Sequence, residues 1–477
     1  MLQNAGTGIV RPYALTLANF QRRRAELLGL PPQSADHTQP PEPDPYPPPS
    51  PAPSAESPLT PPPGARPKLA EAALQGLAGI VVHTIAPHTE GHPAAILLQL
   101  LAAFGNLVGR APHCMVDATR HGLNLFIVLV GDSSKARKGT SWSQIARLFA
   151  EVDHPWLSTR VTSARLTAGG LVYALRDQQP PTDRRLLALS EEFASVLHTL
   201  KSGNGTLSPL LRCAWDSGHL PAPGMHHHLQ APPTHFSLIA HITQRELAQN
   251  LHRTEAHNGF ANRCLWGWVE RGNCLPEGGS LAAHDLSAIA SELRRALDWA
   301  TSTPEVLFRR DAAARELWRH CYPALSQLRP GLRGAATSRA EAQVLRLSAI
   351  YAALDSTSTI GLPHLEAALT VWDYCYASAS VLFGMSTGDP IADRIREAIE
   401  ASPTGLSRDQ IRRLFHGHVD SNRIVAALEK LVALGALAAR NEPTAGRHST
   451  LWSVTEKEEH QENEESVAEE EEPAEDQ

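Results

Sequence analysis

The sequence predicts an α/β fold built on a parallel sheet, with helices added behind it. Three apolar runs carry that expectation: Leu123 to Val130, with Asn124 as its one polar member, Leu186 to Leu189, and Phe236 to Ile242. Continuous runs of this length are the mark of strands buried on both faces, as parallel sheets require. A polar loop or turn follows each, and then a stretch with helical spacing of apolar residues.

At 477 residues and 42% hydrophobic content, the chain can bury a large core and form two or three domains. The formal charge of −7 is unevenly spread. Residues 456–477 hold 12 acidic residues and one lysine, so the rest of the chain is mildly basic. Six scattered cysteines without a C-x-x-C pair argue against a zinc ribbon and for reduced thiols. The most apolar helix, Ala94 to Val108, is broken by Gln99, Gly105 and Asn106 and is too short to cross a bilayer. No signal peptide opens the chain, so a cytoplasmic protein without a membrane partner is expected.

Residues 1–30 contain a short helix, Tyr13 to Leu28, with Arg22-Arg23-Arg24 inside it as a solvated basic face or a docking peptide. Residues 31–67 hold 16 prolines and read as an extended linker. The main body begins at 68. Leu69 to Ile85 and Ala94 to Val108 are two helices that pack on the sheet, joined by a turn from Pro87 to Pro93.

The first strand, Leu123 to Val130, runs into Gly131-Asp132-Ser133-Ser134-Lys135-Ala136-Arg137-Lys138-Gly139-Thr140-Ser141. A helix follows with Trp142, Ile145, Ala146, Leu148 and Phe149 on its apolar side. Strand, loop and helix in this order form a P-loop. There, backbone N–H groups and the helix N-terminus hold phosphates, a lysine reaches the outer phosphates, and a hydroxyl holds Mg²⁺. The standard spacing G-x-x-x-x-G-K-[ST] fits only if this loop is one residue longer. Lys138 is then the phosphate lysine and Thr140 or Ser141 the Mg²⁺ ligand. Nucleotide-binding candidates are Gly131, Ser133, Ser134, Arg137, Lys138, Gly139, Thr140 and Ser141. The plain alternative is a polar loop with surface basic residues.

After a turn at Thr167 to Gly170 and a short helix to Leu175, the strand Leu186 to Leu189 ends in Ser190-Glu191-Glu192. In P-loop ATPases an acid at such a strand end orders Mg²⁺, and a neighbouring glutamate polarises the attacking water. Glu191 and Glu192 fit those roles, although aspartate is the commoner first acid. A pair of carboxylates favoured by a helix N-terminus is the alternative. Residues 198–234 read as a long loop with Lys201 and Arg212 as nucleic-acid candidates. Its histidines, His219 and His226 to His228, lack metal-ligand spacing. The strand Phe236 to Thr243 is expected beside the first, its polar end, His241 and Thr243, near a γ-phosphate. Thr243 N-caps the next helix. Arg263, in the turn before one more strand, is a candidate arginine finger or a structural salt bridge.

The segments N-L-F-I-V-L-V-G-D-S-S-K-A-R-K-G-T-S, L-A-L-S-E-E-F-A-S-V-L, I-A-H-I-T and F-A-N-R-C-L-W occur in this order. Together they resemble a widespread, uncharacterised P-loop family, often labelled a domain of unknown function or YfjI-like. Its genes sit on phages, plasmids and integrated elements, often beside a primase. The resemblance covers about residues 70–385. It implies a RecA-like ATPase core over 68–280 that uses ATP and Mg²⁺, and a helicase-like part in replicating mobile DNA. Primase or another replication protein is the implied partner, and a homo-oligomeric ring the implied assembly.

Residues 281–388 read as a helical extension: Ala282 to Thr301, Arg310 to Leu328, Ser338 to Leu354 and Pro363 to Phe383. Arg339 and Arg346 share one side of the third helix, where they could approach the nucleotide or a neighbouring subunit, although solvated or salt-bridged arginines are more common. Residues 389–455 offer three helices and a hairpin, the pattern of a winged helix-turn-helix. Ser421, Asn422 and Arg423 start its third helix, where base contacts come from, and Arg440 and Arg447 in the wing are placed for phosphate. The acidic tail, 456–477, has the composition of a disordered segment. The expected function is an ATP-dependent, DNA-associated motor, a replicative helicase or its loader. The rivals are a DNA-binding regulator with a non-hydrolysing P-loop fold, and a protein-binding adaptor.

Overall fold

The residues described by the structure, a computed structural model, are 66–175, 183–202, 206–220, 233–251, 253–384, 389–402, 404–416, 418–433, 436–442 and 449–454. They fall into two units, divided between Ser386 and Thr387. The N-terminal peptide, most of the linker, His226 to His228, Arg447 and the acidic tail lie outside the described residues.

The first unit opens with α1 (Gly76–Ile85), α2 (Pro93–Leu107), β1 (Pro112–Val116), β2 (Thr119–Gly122) and β3 (Phe126–Val130). Then come α3 (Lys138–Val152), α4 (His154–Arg160), β4 (Val161–Thr162), α5 (Ala168–Leu175), β5 (Arg185–Ser190), α6 (Phe193–Ser202) and α7 (Leu207–Asp216). β6 (His235–Ile242), α8 (Gln244–Asn250), α9 (Arg253–His257) and β7 (Cys264–Trp268) complete the main sheet. Behind it lie α10 (Ala283–Thr301), β8 (Val306–Arg310), α11 (Ala312–Leu325), α12 (Gly331–Thr337), α13 (Ala340–Leu354), β9 (Thr359–Ile360) and α14 (Leu362–Phe383).

Five strands in the order β4-β5-β6-β3-β7 form a wholly parallel sheet. All five residues of β3 are buried, and they alternate between two cores. Ile127 and Leu129 pack with residues of α1, α2, α3, α10, α13 and α14. Phe126, Val128 and Val130 pack with residues of α5, α6, α7 and α8. A sheet covered on both faces explains why its strands read as apolar runs rather than alternating ones.

The residues that interrupt the apolar pattern of α2 dock it on the sheet. Gln99 Nε2 lies 3.0 Å from His241 Nε2. Asn106 donates to Leu186 O at 3.1 Å and to His235 O at 3.2 Å, and accepts from Trp156 Nε1 at 3.1 Å. His235 bonds the Gly105 carbonyl at 2.7 Å, and a Cβ on Gly105 would stand 2.3 Å from Leu123 O. Buried polar groups are kept where such bonds replace water.

Several expectations need correction. The first helix starts late, at Gly76, whose φ of 57° suits glycine and whose Cβ would meet the Asp355 carboxylate. Residues 207–216, read as part of a loop, form the amphipathic helix α7. The hairpin of β1 and β2 escaped the sequence reading. It joins β8 and β9 in a second sheet, ordered β2-β1-β8-β9. Residues 281–384 therefore are not purely helical, and parallel pairing of β8 with β1 ties them to the body.

The second unit holds α15 (Pro390–Glu400), β10 (Leu406–Ser407), α16 (Arg408–Arg413), α17 (Ser421–Ala433), β11 (Leu437–Glu442) and β12 (Ser449–Val454). Its strands form an antiparallel sheet ordered β10-β12-β11. Ile395, Ile399, Ile411, Ile424, Leu428 and Leu431 make its own small core. Asp389 caps α15, and Ser407 with Gln410 forms a capping box on α16.

Candidate functional site

Because the five strands are parallel, β3, β5 and β6 end on one edge. Their following residues line a single cleft of about 560 Å³. Ser133, Ser134, Arg137, Lys138, Gly139 and Thr140 come from the loop after β3, and Glu191 and Glu192 follow β5. His241, Ile242, Thr243 and Glu246 come from the end of β6 and the start of α8. Six of the eight nucleotide-binding candidates and both glutamates therefore meet in one place.

The loop geometry follows from small residues. A Cβ on Gly131 would stand 2.1 Å from Val269 O and 2.7 Å from Ala136 Cβ, so only glycine fits where β3 leaves the sheet. Ser141 N–H is bonded to Arg137 O at 3.1 Å. The N–H groups of Lys138, Gly139 and Thr140 are left at the helix start, as at any helix N-terminus. Lys138 Nζ folds back and donates to Gly131 O at 2.7 Å and Asp132 O at 3.3 Å. Burial pushes its pKa down, against the pull of the Asp132 and Glu246 carboxylates. A Cβ on Gly139 would lie 3.9 Å from Glu191 Oε1, which sets the carboxylate against the start of α3.

At the end of β6, burial and then the charge of Lys138 hold His241 down to about 3. Its imidazole is therefore neutral near pH 7. Thr243 N-caps α8 as expected: its Oγ1 accepts from Glu246 N at 3.2 Å, and Glu246 Oε2 accepts from the Thr243 hydroxyl at 2.8 Å. The Thr-x-x-Glu spacing after the strand signalled this box, yet the sequence reading missed Glu246 as a third carboxylate in the cleft.

Gly131 lies behind the lining as an acceptor for Lys138, and two further expected members stand elsewhere. Ser141 is fully buried, and its hydroxyl donates to Lys138 O at 2.7 Å beneath the loop, which leaves Thr140 as the hydroxyl lining the cleft. Arg263 stands at the opposite edge of the sheet, where strands begin: Cys264 pairs with Phe126, the first residue of β3. A five-residue strand spans about 15 Å, too far for Arg263 to reach the cleft of its own chain. Its guanidinium is 6% exposed and paired with Asp216 at 2.6 Å. Arg339 shares Asp216, and Arg346 is fully buried over Trp215. Arg212 donates to Asn258 O at 2.8 Å within the fold.

In the second unit Asn422 and Arg423 are exposed at the start of α17, Ser421 Oγ accepts from Arg408 at 3.2 Å, and Arg440 is exposed on β11. Among the described residues no group of three or more His, Cys, Asp and Glu could hold a metal, and no helix is long and apolar enough to cross a membrane.

The donor set fits a phosphate chain with Mg²⁺. One lysine, three helix N–H groups and the Thr140 hydroxyl line one cleft with the carboxylates of Glu191, Glu192 and Glu246, and glycine at 139 leaves the approach to the backbone free. No protein-family model matches this chain, and no curated protein matches it.

Proposed function

We propose that the first unit is a RecA-like P-loop ATPase core and the second a winged helix, and that the chain is an ATP-dependent, DNA-associated protein of replicating mobile DNA, helicase-like or a helicase loader. The convergence of Lys138, Thr140, Glu191 and Glu192 on one cleft supports this reading most directly. The strand order supports it as well. β6 separates β3 from β5, so the ends of those two strands stand about 10 Å apart and their following residues converge on the cleft from both sides.

Lys138 and the first N–H groups of α3 bind the outer phosphates. Thr140 and Glu191 would hold Mg²⁺, which would neutralise charge on the phosphoryl group. Glu192 accepts the proton of the attacking water. Neutral His241, at the end of the intervening strand, offers the terminal phosphate a hydrogen bond without adding charge. Arg263 serves its own chain as a salt bridge, which takes it out of the arginine-finger role, and a neighbouring subunit of a ring would be one source of such a finger. Asn422, Arg423 and Arg440 are the DNA contacts, and a primase or other replication protein is the expected partner.

One observation favours a regulator that binds nucleotide without turning it over: arginine, not glycine, precedes the phosphate lysine. Calorimetric titration of ATP with Mg²⁺ into wild type and Lys138→Ala tests the common core of both readings. Binding to wild type that the variant loses supports it, and equal behaviour of the two proteins removes it.

A further inference from the structure

We infer that Glu90 is a positioning residue for the phosphate loop: its ion pair with Arg137 holds that residue in the left-handed conformation that glycine supplies in the standard loop. The inference rests on the nucleotide-binding reading above for its functional consequence.

Arg137 has φ 50° and ψ 33° and is the residue from which α3 starts. In the spacing G-x-x-x-x-G-K, the position before the lysine is glycine. A residue with a Cβ resists this region, because Cβ approaches the following carbonyl oxygen. Arg137 Nε lies 2.7 Å from Glu90 Oε2. Glu90 is itself clamped. Its Oε1 accepts from Leu275 N at 3.1 Å and stands 3.7 Å from Arg271, and its carbonyl accepts from Gly272 N at 3.0 Å. Gly91, next in the chain, touches α3 so closely that a Cβ there would be 2.8 Å from Ser141 Cβ. A fixed carboxylate thus grips the side chain of the one loop residue whose backbone sets the direction of the Lys138, Gly139 and Thr140 N–H groups. The sequence places Glu90 in a turn 47 residues upstream of Arg137, with no motif joining the two.

The role makes Glu90 dispensable when glycine replaces Arg137. The full chain is prepared as wild type, Glu90→Gln, Arg137→Gly and the double variant. Glutamine keeps an acceptor for the Leu275 N–H and removes the charge that faces Arg137 and Arg271, and the R137G background separates the two. Melting temperature is read without nucleotide, and affinity is read with ATP and Mg²⁺. In the wild-type background Glu90→Gln lowers the melting temperature and weakens ATP by roughly tenfold, the equilibrium worth of one residue released from this region. In the R137G background the same change leaves the melting temperature in place and shifts affinity less than about twofold. An equal effect of Glu90→Gln in both backgrounds overturns the inference and assigns Glu90 to Arg271 and Leu275 instead. Absence of ATP binding in wild type defeats the nucleotide reading alone, because the melting-temperature cycle still decides whether Glu90 acts through Arg137.

Discussion

Arg263 Nη2 and Asp216 Oδ2 stand 2.6 Å apart at the edge of the sheet where the strands begin, and Arg339 reaches the same carboxylate at 3.3 Å. One aspartate at the end of α7 thereby ties the start of β7 to the residue that precedes α13. Asp216 is 39% exposed, so water takes up part of the loss when the pair is broken.

Arg263→Ala is accordingly expected to destabilise the first unit by about 2 kcal/mol, below the cost of breaking a fully buried pair. Its affinity for nucleotide stays within about twofold of wild type. Urea unfolding and ATP titration check the two halves. Full stability with lost turnover would place Arg263 in the chemistry instead.

Acid should loosen the first unit through His235 and His241. Burial pushes both imidazoles down to about 3, whereas in an unfolded chain they titrate near 6.5. Because the native value is the lower one, the unfolded chain takes up protons first. The stability they contribute is whole above about pH 6.5 and is lost as pH falls through that window toward 3. Urea midpoints measured between pH 7.5 and 4.5 should fall with acid, and less steeply in His235→Gln. An identical slope in that variant would refute a buried neutral His235.

The two glutamates after β5 should separate by phenotype. Glu191 lies against the start of α3, so Glu191→Gln is expected to raise the Mg²⁺ concentration needed for turnover. Glu192→Gln is expected to leave nucleotide binding intact and slow hydrolysis by about a hundredfold or more, the usual worth of a general base. Rates measured across a Mg²⁺ series check both. Loss of nucleotide binding in Glu192→Gln would contradict the assignment.

Arg423 is exposed at the third position of α17, beside Asn422. Arg423→Ala should weaken DNA binding by about 1–3 kcal/mol if it reads a base, or lower the salt slope by about one if it meets phosphate. Nucleotide affinity should not change. Fluorescence anisotropy on labelled duplex across a salt series tests this, and unaltered DNA binding would point to a protein partner for the unit.

Much of the sheet was legible because its strands are buried on both faces, which leaves continuous apolar runs such as Phe126 to Val130 and Phe236 to Ile242. The loop after β3 and Glu191-Glu192 were legible because their positions at strand ends are local. Contacts between distant segments were not. β1 and β8 pair across nearly two hundred residues, and neither has an apolar run that marks a strand. Arg263 stayed open between an arginine finger and a salt bridge because Asp216, its partner, lies 47 positions upstream in a stretch that reads as a loop. Glu90 was hidden for the same reason: nothing near it in the chain announces Arg137.

ATP hydrolysis by wild type and Lys138→Ala, each with and without single-stranded DNA, decides whether Lys138 serves a motor. Turnover in wild type that DNA raises and the substitution removes is the expected result. Hydrolysis at the same rate in both proteins, or none in wild type with or without DNA, would contradict a motor built on Lys138.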